Sequence, residues 1–184
     1  IGFTVKVQGR VTAGVRGMKL KQGDAVVGMI ATSNEDTHVL TLSKYGMAKR
    51  SRLGDGEMHD IDPPMKDEKT GKNKQYRDGY RKTNRGAGGV ATMKLDEEHN
   101  DEIVRVHTIP DLGDQLFILT GKGMMIRVRA YQTKETTGKS TKGTRVMELR
   151  DKDKGGFVDE IIFSARLPAE LIDEEDDFDS MDTN

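Results

Sequence analysis

Val39-Leu40-Thr41-Leu42-Ser43-Lys44-Tyr45-Gly46-Met47-Ala48-Lys49-Arg50 and Leu116-Phe117-Ile118-Leu119-Thr120-Gly121-Lys122-Gly123-Met124-Met125-Ile126-Arg127 follow one plan. Each is an apolar strand, a tight turn around a glycine, and a second strand that ends in a base. Glycine supplies the positive φ that such a turn demands at little steric cost. Two hairpins of the same design in one chain point to an internal repeat.

Working outward, a second pattern occurs three times: Gly14 to Leu20, Gly89 to Leu95 and Gly143 to Leu149. In each, Met follows the glycine by four residues (Met18, Met93, Met147) and Leu by six (Leu20, Leu95, Leu149). Residues two apart share a strand face, so Met and Leu point inward and the charged residue between them (Lys19, Lys94, Glu148) points out. A third pattern is a short apolar strand, Val26–Ile30, Ile103–Val106 and Val158–Phe163, with Phe163 as its last expected end. Each repeat thus offers about four short strands, and helical periodicity is nearly absent. Strands of this kind fit any antiparallel sandwich, but their repetition predicts an all-β, propeller-like array of four-stranded blades. Residues 1–167 hold about three blades, a partial array. Phe3-Thr4-Val5-Lys6-Val7 resembles only the end of a hairpin.

The glycine spacings locate an insertion. Gly46 to Gly89 spans 43 residues but Gly123 to Gly143 spans 20, a surplus of 23 between Arg50 and Tyr80. Residues 54–79 are polar, contain Pro63-Pro64 and lack apolar periodicity, so they read as a long flexible loop.

Charge is distributed unevenly. The net charge is −1, yet residues 168–184 hold eight acids and no base, which leaves residues 1–167 with 30 bases against 23 acids, a net of +7. A basic body implies a polyanionic partner; a tail of like charges with few apolar residues is expected to be disordered. Cysteine is absent, which excludes disulfides and Cys-ligated metal and fits a reducing compartment. No apolar run approaches the roughly 18 residues of a membrane span.

The bases recur at equivalent points of the repeat: Arg10 and Arg16 around Gly14; Lys49, Arg50 and Arg52 after Gly46; Arg81, Lys82 and Arg85 before Gly89; Arg127 and Arg129 after Gly123; Lys139 and Lys142 before Gly143. On a repeat array such positions fall on the same side of successive blades, which suits duplex phosphates read without base specificity. Aromatic residues are only 5% of the chain, so single-strand stacking is poorly supported. A propeller scaffold that binds protein is the rival reading.

Other motifs fall short of catalysis or cofactor binding, and no cofactor is expected in this chain. Gly138-Lys139-Ser140-Thr141 lacks the glycine that a phosphate-binding loop needs five residues earlier, where Thr133 stands. Gly86-Ala87-Gly88-Gly89-Val90-Ala91 lacks the flanking strand and helix of a dinucleotide site. His38, His59, His99 and His107 show no metal-ligand spacing, and Asp60, Asp62, Asp67 and Glu68 lack a calcium-loop pattern.

The run Tyr80 to Leu95, with Gly14 to Asp24, Tyr45 to Arg50 and Thr141 to Met147, resembles the C-terminal domain of the DNA gyrase A family, over residues 1 to about 165. The acidic ending is similar too. The resemblance implies a β-pinwheel, a propeller-like ring whose blades share strands, with double-stranded DNA bound around its basic edge. It implies work beside the gyrase A N-terminal region and the gyrase B subunit, in the cytoplasm at the nucleoid. There the wrapped crossing would feed the ATP-driven strand passage of a type II topoisomerase. The catalytic tyrosine of that family belongs to a region this chain lacks, so Tyr45, Tyr76, Tyr80 and Tyr131 do not take that role. The basic-glycine box of the family's first blade is expected upstream of Ile1, and Thr83 to Gly89 is a degenerate cousin. The corresponding domain in the C subunit of topoisomerase IV is the alternative within the same fold.

Overall fold

A computed structural model describes residues 6–138, 141–151 and 155–172. Among them the chain is all-β: nine strands and three single-turn 3₁₀ helices, Glu97–His99, Ala130–Gln132 and Ala169–Leu171. The first expected hairpin forms as β1 (His38–Ser43) and β2 (Met47–Arg52). The inserted segment contributes β3 (Met58–Asp60) and β4 (Gln75–Arg77), and β5 is Ile103–Ile109. The second expected hairpin is β6 (Gln115–Thr120) and β7 (Met125–Arg129), followed by β8 (Thr144–Arg145) and β9 (Ile161–Leu167).

Both hairpin turns are built alike. Gly46 adopts φ 87° and donates its amide to the Ser43 carbonyl; Gly123 adopts φ 84° and donates to that of Thr120. The Ser43 hydroxyl accepts the amide of Met47 at 3.3 Å, and the Thr120 hydroxyl that of Met124 at 3.2 Å. A hydroxyl at the strand end thus closes each turn.

Each hairpin is completed by a strand from farther along the chain. β5 joins β1, and β8 joins β2, giving a four-stranded sheet in the order β5-β1-β2-β8. β9 joins β6 in the order β7-β6-β9. Both added strands carry a register shift at the same place, after Leu42 in one sheet and after Leu119 in the other. The apolar strand of one repeat therefore serves the hairpin of the repeat before it, and the blades share strands.

The core follows from alternation along β1 and β2. Leu40, Leu42 and Ala48 face Ile109, Leu116, Ile118, Ala130, Leu149 and Ile161 in one buried cluster. The opposite face of the same hairpin carries Thr41, Lys49 and Ser51, also buried, beneath the segments around Thr92 and Thr136.

Three sequence expectations need correction. Residues 54–79 are not a strandless loop: β3 and β4 pair antiparallel, Met58 with Arg77 and Asp60 with Gln75. The polar composition concealed them because both strands are exposed, so no apolar alternation is required. Val26–Ile30, Gly14–Leu20 and Gly89–Leu95 form no strand. The counterparts of Val26–Ile30 each pair back onto a preceding hairpin, and no such hairpin stands before Val26 among the described residues. The last strand does not close at Phe163 but runs on to Leu167. Of the acidic tail expected to be disordered over 168–184, Ala169–Leu171 form a 3₁₀ turn, and residues 173–184 lie outside the described residues.

Candidate nucleic-acid interface

The three Gly-to-Leu motifs lie side by side and are joined by one repeated hydrogen bond. The Lys19 amide donates to the Ala87 carbonyl at 3.0 Å, and the Lys94 amide donates to the Thr141 carbonyl at 3.0 Å. Lys19 and Lys94 each follow the motif methionine, and Ala87 and Thr141 each precede the motif glycine by two. A further bond, from the Gly86 amide to the Gly17 carbonyl at 2.8 Å, tightens the first junction. This ladder sets exposed Arg16 and Lys19 beside exposed Arg85, and exposed Lys94 beside exposed Lys142. The result is a basic strip running across successive repeats. The side chains of Arg16, Arg85 and Lys94 have no hydrogen-bond or ion-pair partner among the described residues, so they are available to phosphates. Lys142 lies near enough to Asp96 to help hold that carboxylate below its usual range, behind the larger effect of His99.

Lys19 and Lys94 were not among the sequence candidates for contact, although their recurrence between Met and Leu was a usable signal. Other candidates are placed differently. Lys49 is 1% exposed and Arg50 6%, so neither lies on the exposed basic strip. The Lys49 ammonium donates to the carbonyls of Thr92 and Gly138, and burial pushes its pKa down. Arg50 donates from Nε to the Thr133 carbonyl at 3.0 Å and pairs with Glu135 at 3.3 Å. Both belong to β2 of the four-stranded sheet, whose two faces are covered, a fact that turn-based counting of bases does not reveal. Arg52 is held between Asp36 and Asp78, each at 2.8 Å, and Lys82 pairs with Glu35 at 3.1 Å. Arg127 and Arg129 lie on β7, an edge of the other sheet, and Arg129 stacks over the Tyr131 ring. Arg10 is exposed, and Lys139 lies outside the described residues. Arg81 is exposed beside a cavity treated below.

Among the described residues, two groups bring metal-ligating atoms within 4.8 Å of one another: Asp55, His59 and Asp78, and Asp96, Glu98 and His99. In the first, Asp78 already accepts from Arg52 and from the Asp55 amide; in the second, Asp96 faces His99 at 3.2 Å and Arg150 at 3.6 Å. Neighbouring cations and amides thus answer these carboxylates. The Gly86–Ala91 run leads into no helix, so it has neither dipole nor amide array for a pyrophosphate. No helix among the described residues is long and apolar enough to cross a membrane.

The profile of the family described as "DNA gyrase C-terminal domain, beta-propeller" matches residues 4–33, 78–110 and 114–154. The inserted β3–β4 hairpin falls in the gap between the first two matched segments. The DNA gyrase A protein of Staphylococcus epidermidis is 30% identical over 156 residues, 84% of this chain and 14% of that protein. The DNA gyrase A protein of Campylobacter jejuni subsp. jejuni is 31% identical over 173 residues, 94% of this chain and 16% of that protein. The chain therefore spans about one seventh of the length of the curated relatives it matches. Its fold is similar to the crystal structure of the C-terminal domain of DNA topoisomerase IV, with a TM-score of 0.62 at 18% identity, covering 86% of this chain and 39% of that one.

Proposed function

The chain belongs to the DNA gyrase C-terminal domain family, and on that premise we propose that it holds and bends duplex DNA as part of a gyrase A protein without catalysing anything itself. The observation that carries this reading is the repeated Lys19–Ala87 and Lys94–Thr141 ladder, which lines up Arg16, Lys19, Arg85, Lys94 and Lys142 on successive repeats. Bases in register along a surface meet phosphates at regular intervals, and such contacts give affinity without sequence reading. Bending a site of 20–30 base pairs costs on the order of 1–6 kcal/mol, which several phosphate contacts can offset. In the holoenzyme this chain works beside the gyrase A N-terminal region and the gyrase B subunit, at the nucleoid in the cytoplasm. It presents a wrapped crossing to their ATP-driven strand passage.

The test is nick ligation. Nicked circular DNA is sealed in the presence of the chain and its linking number is read. A positive shift is expected. Binding without a shift would assign the chain to holding DNA rather than wrapping it, as in the topoisomerase IV alternative. Absence of binding at low salt would overturn the reading in favour of a protein-binding scaffold.

A further inference from the structure

A cavity of about 490 Å³ opens between β2, the base of the inserted hairpin and the Val90–Thr92 segment. Among the described residues, four cations line it, Lys49, Arg52, Arg77 and Arg81, and no acid does. Two of the four are accounted for: Arg52 by Asp36 and Asp78, and Arg77 by the Gly56 carbonyl at 2.6 Å. The other two are not. The Arg81 side chain has no hydrogen-bond or ion-pair partner among the described residues.

Lys49 is the more telling. It is almost wholly buried, yet its only partners among the described residues are the neutral carbonyls of Thr92 and Gly138. An ammonium carries three N–H donors, so one is left over. No carboxylate among the described residues lies within ion-pair distance of it. A buried charge without a counter-charge is costly, and native structures pair it or let it lose its proton. Burial indeed lowers the proton affinity of Lys49. An anion in the cavity would provide the missing counter-charge. The walls also offer the Thr137 hydroxyl and, where Thr92 Oγ1 is the donor to it, the Tyr80 hydroxyl, while the Ser51 hydroxyl is already given to the Thr136 carbonyl; with the two arginines these donors come from several directions, which suits a tetrahedral dianion better than a planar carboxylate. The volume exceeds that of a bare phosphate, and the Tyr76 and Tyr80 rings with Val90 and Ala91 provide apolar surface for a sugar and a base.

We propose that this cavity binds the phosphoryl group of a nucleotide, with Lys49 as the buried cation and Arg77 and Arg81 at its sides. The nucleotide comes either from DNA bound along the basic strip or from the free pool. The first source rests on the DNA-binding function proposed above; the second does not. The inserted hairpin, which supplies Tyr76 and Arg77, thereby gains a role as one wall of the site.

The experiment uses the full chain and an Arg77→Gln/Arg81→Gln double variant. Both side chains are exposed, so the variant is expected to fold; Lys49 is left intact. Calorimetry measures affinity for 2′-deoxyadenosine 5′-monophosphate and for a duplex of about 30 base pairs, the upper end of a smoothly bent site, and side-chain NMR follows the Lys49 protonation midpoint with and without each ligand. The expected result is that the mononucleotide binds the parent, raises the Lys49 midpoint, and binds the double variant roughly tenfold more weakly or worse, the loss of charged hydrogen bonds. If the duplex also raises the midpoint, competes with the mononucleotide and weakens in the variant, DNA is the source. If the duplex does none of these, the free nucleotide is. No movement of Lys49 with either probe, and no loss of affinity in the variant, would overturn the cavity while leaving duplex binding intact. A parent chain that binds no duplex would sink the proposed function instead, and the mononucleotide result would still decide the cavity.

Discussion

Asp101 and Asp159 occupy the same point of successive repeats, and each closes the turn of the hairpin before it. One carboxylate oxygen of Asp101 accepts the Tyr45 amide at 3.2 Å and the Glu102 amide at 3.1 Å; one of Asp159 accepts the Lys122 amide at 3.2 Å and the Glu160 amide at 2.8 Å. The backbone repeats the arrangement, because Lys44 donates to Glu102 and Gly121 donates to Glu160. The blades are therefore stitched at their turns as well as along their strands. Replacing either aspartate by alanine leaves two amides without that acceptor and is expected to cost about 1–2 kcal/mol. The two losses should add, since the sites share no partner. Urea denaturation of both single variants and the double variant checks this.

The structure separates bases that the sequence had grouped. Arg85→Glu is expected to weaken duplex binding and to lower the log–log salt slope by roughly 0.9, one phosphate contact, with stability changed by no more than about 0.5 kcal/mol. Arg50→Ala should do the reverse. It strips charged hydrogen bonds from the Thr133 carbonyl and Glu135, so a stability loss of about 2 kcal/mol is expected with the salt slope unchanged. Fluorescence anisotropy across a salt series, paired with thermal melts, distinguishes the two.

His107 gives a pH signature. It is largely buried, and desolvation, then the charges of Arg105 and Arg166, hold its pKa below the ordinary 6.5. Its ring bonds the Ser164 hydroxyl across the join between β5 and β9 at 2.7 Å. The unfolded chain therefore takes up a proton on this histidine as pH falls past about 6.5, while the folded chain resists it. Proton uptake on unfolding means that stability declines with falling pH, from about 6.5 down to the folded pKa. His107→Gln is expected to flatten that part of the stability profile. A His107→Gln profile identical in slope to the parent's would assign the acid sensitivity elsewhere.

Much of the hairpin framework was legible because turn chemistry is local. Gly46 and Gly123 sit where the sequence demanded them, and Ser43 and Thr120 repeat beside them. Strand sharing was not legible in the same way. Ile103 and Ile161 announce apolar strands, but which hairpin they join depends on long-range pairing that no local pattern encodes. A better signal was present: Asp101-Glu102-Ile103 and Asp159-Glu160-Ile161 are the same tripeptide, and aligning on it places the third strand correctly. The basic residues were harder. Lys49 and Arg50 carry charges that normally sit at a surface, yet a hairpin covered on both faces buries nearly every position along its strands. Lys19 and Lys94 were obscured for the opposite reason, because charge between two inward residues reads as ordinary solvation.

The last prediction concerns the acidic end of the chain, where the sequence itself is the evidence of charge. The chain has a net charge of −1, and cutting after Ala169 removes eight acids and no base, which leaves +7. The cut retains the Ala169 amide that donates to the buried Asp114 carboxylate at 2.9 Å, and it loses little packing, because Leu171 is 66% exposed. Stability should therefore hold. A segment so acidic, tethered to a basic strip, competes with DNA at high effective concentration. Truncation is expected to raise duplex affinity several-fold at low salt. The gain should fade towards about 1 M salt, where charges are screened within about 3 Å. Equal affinities for the intact and truncated chains at low salt would show that the tail does not occupy the strip.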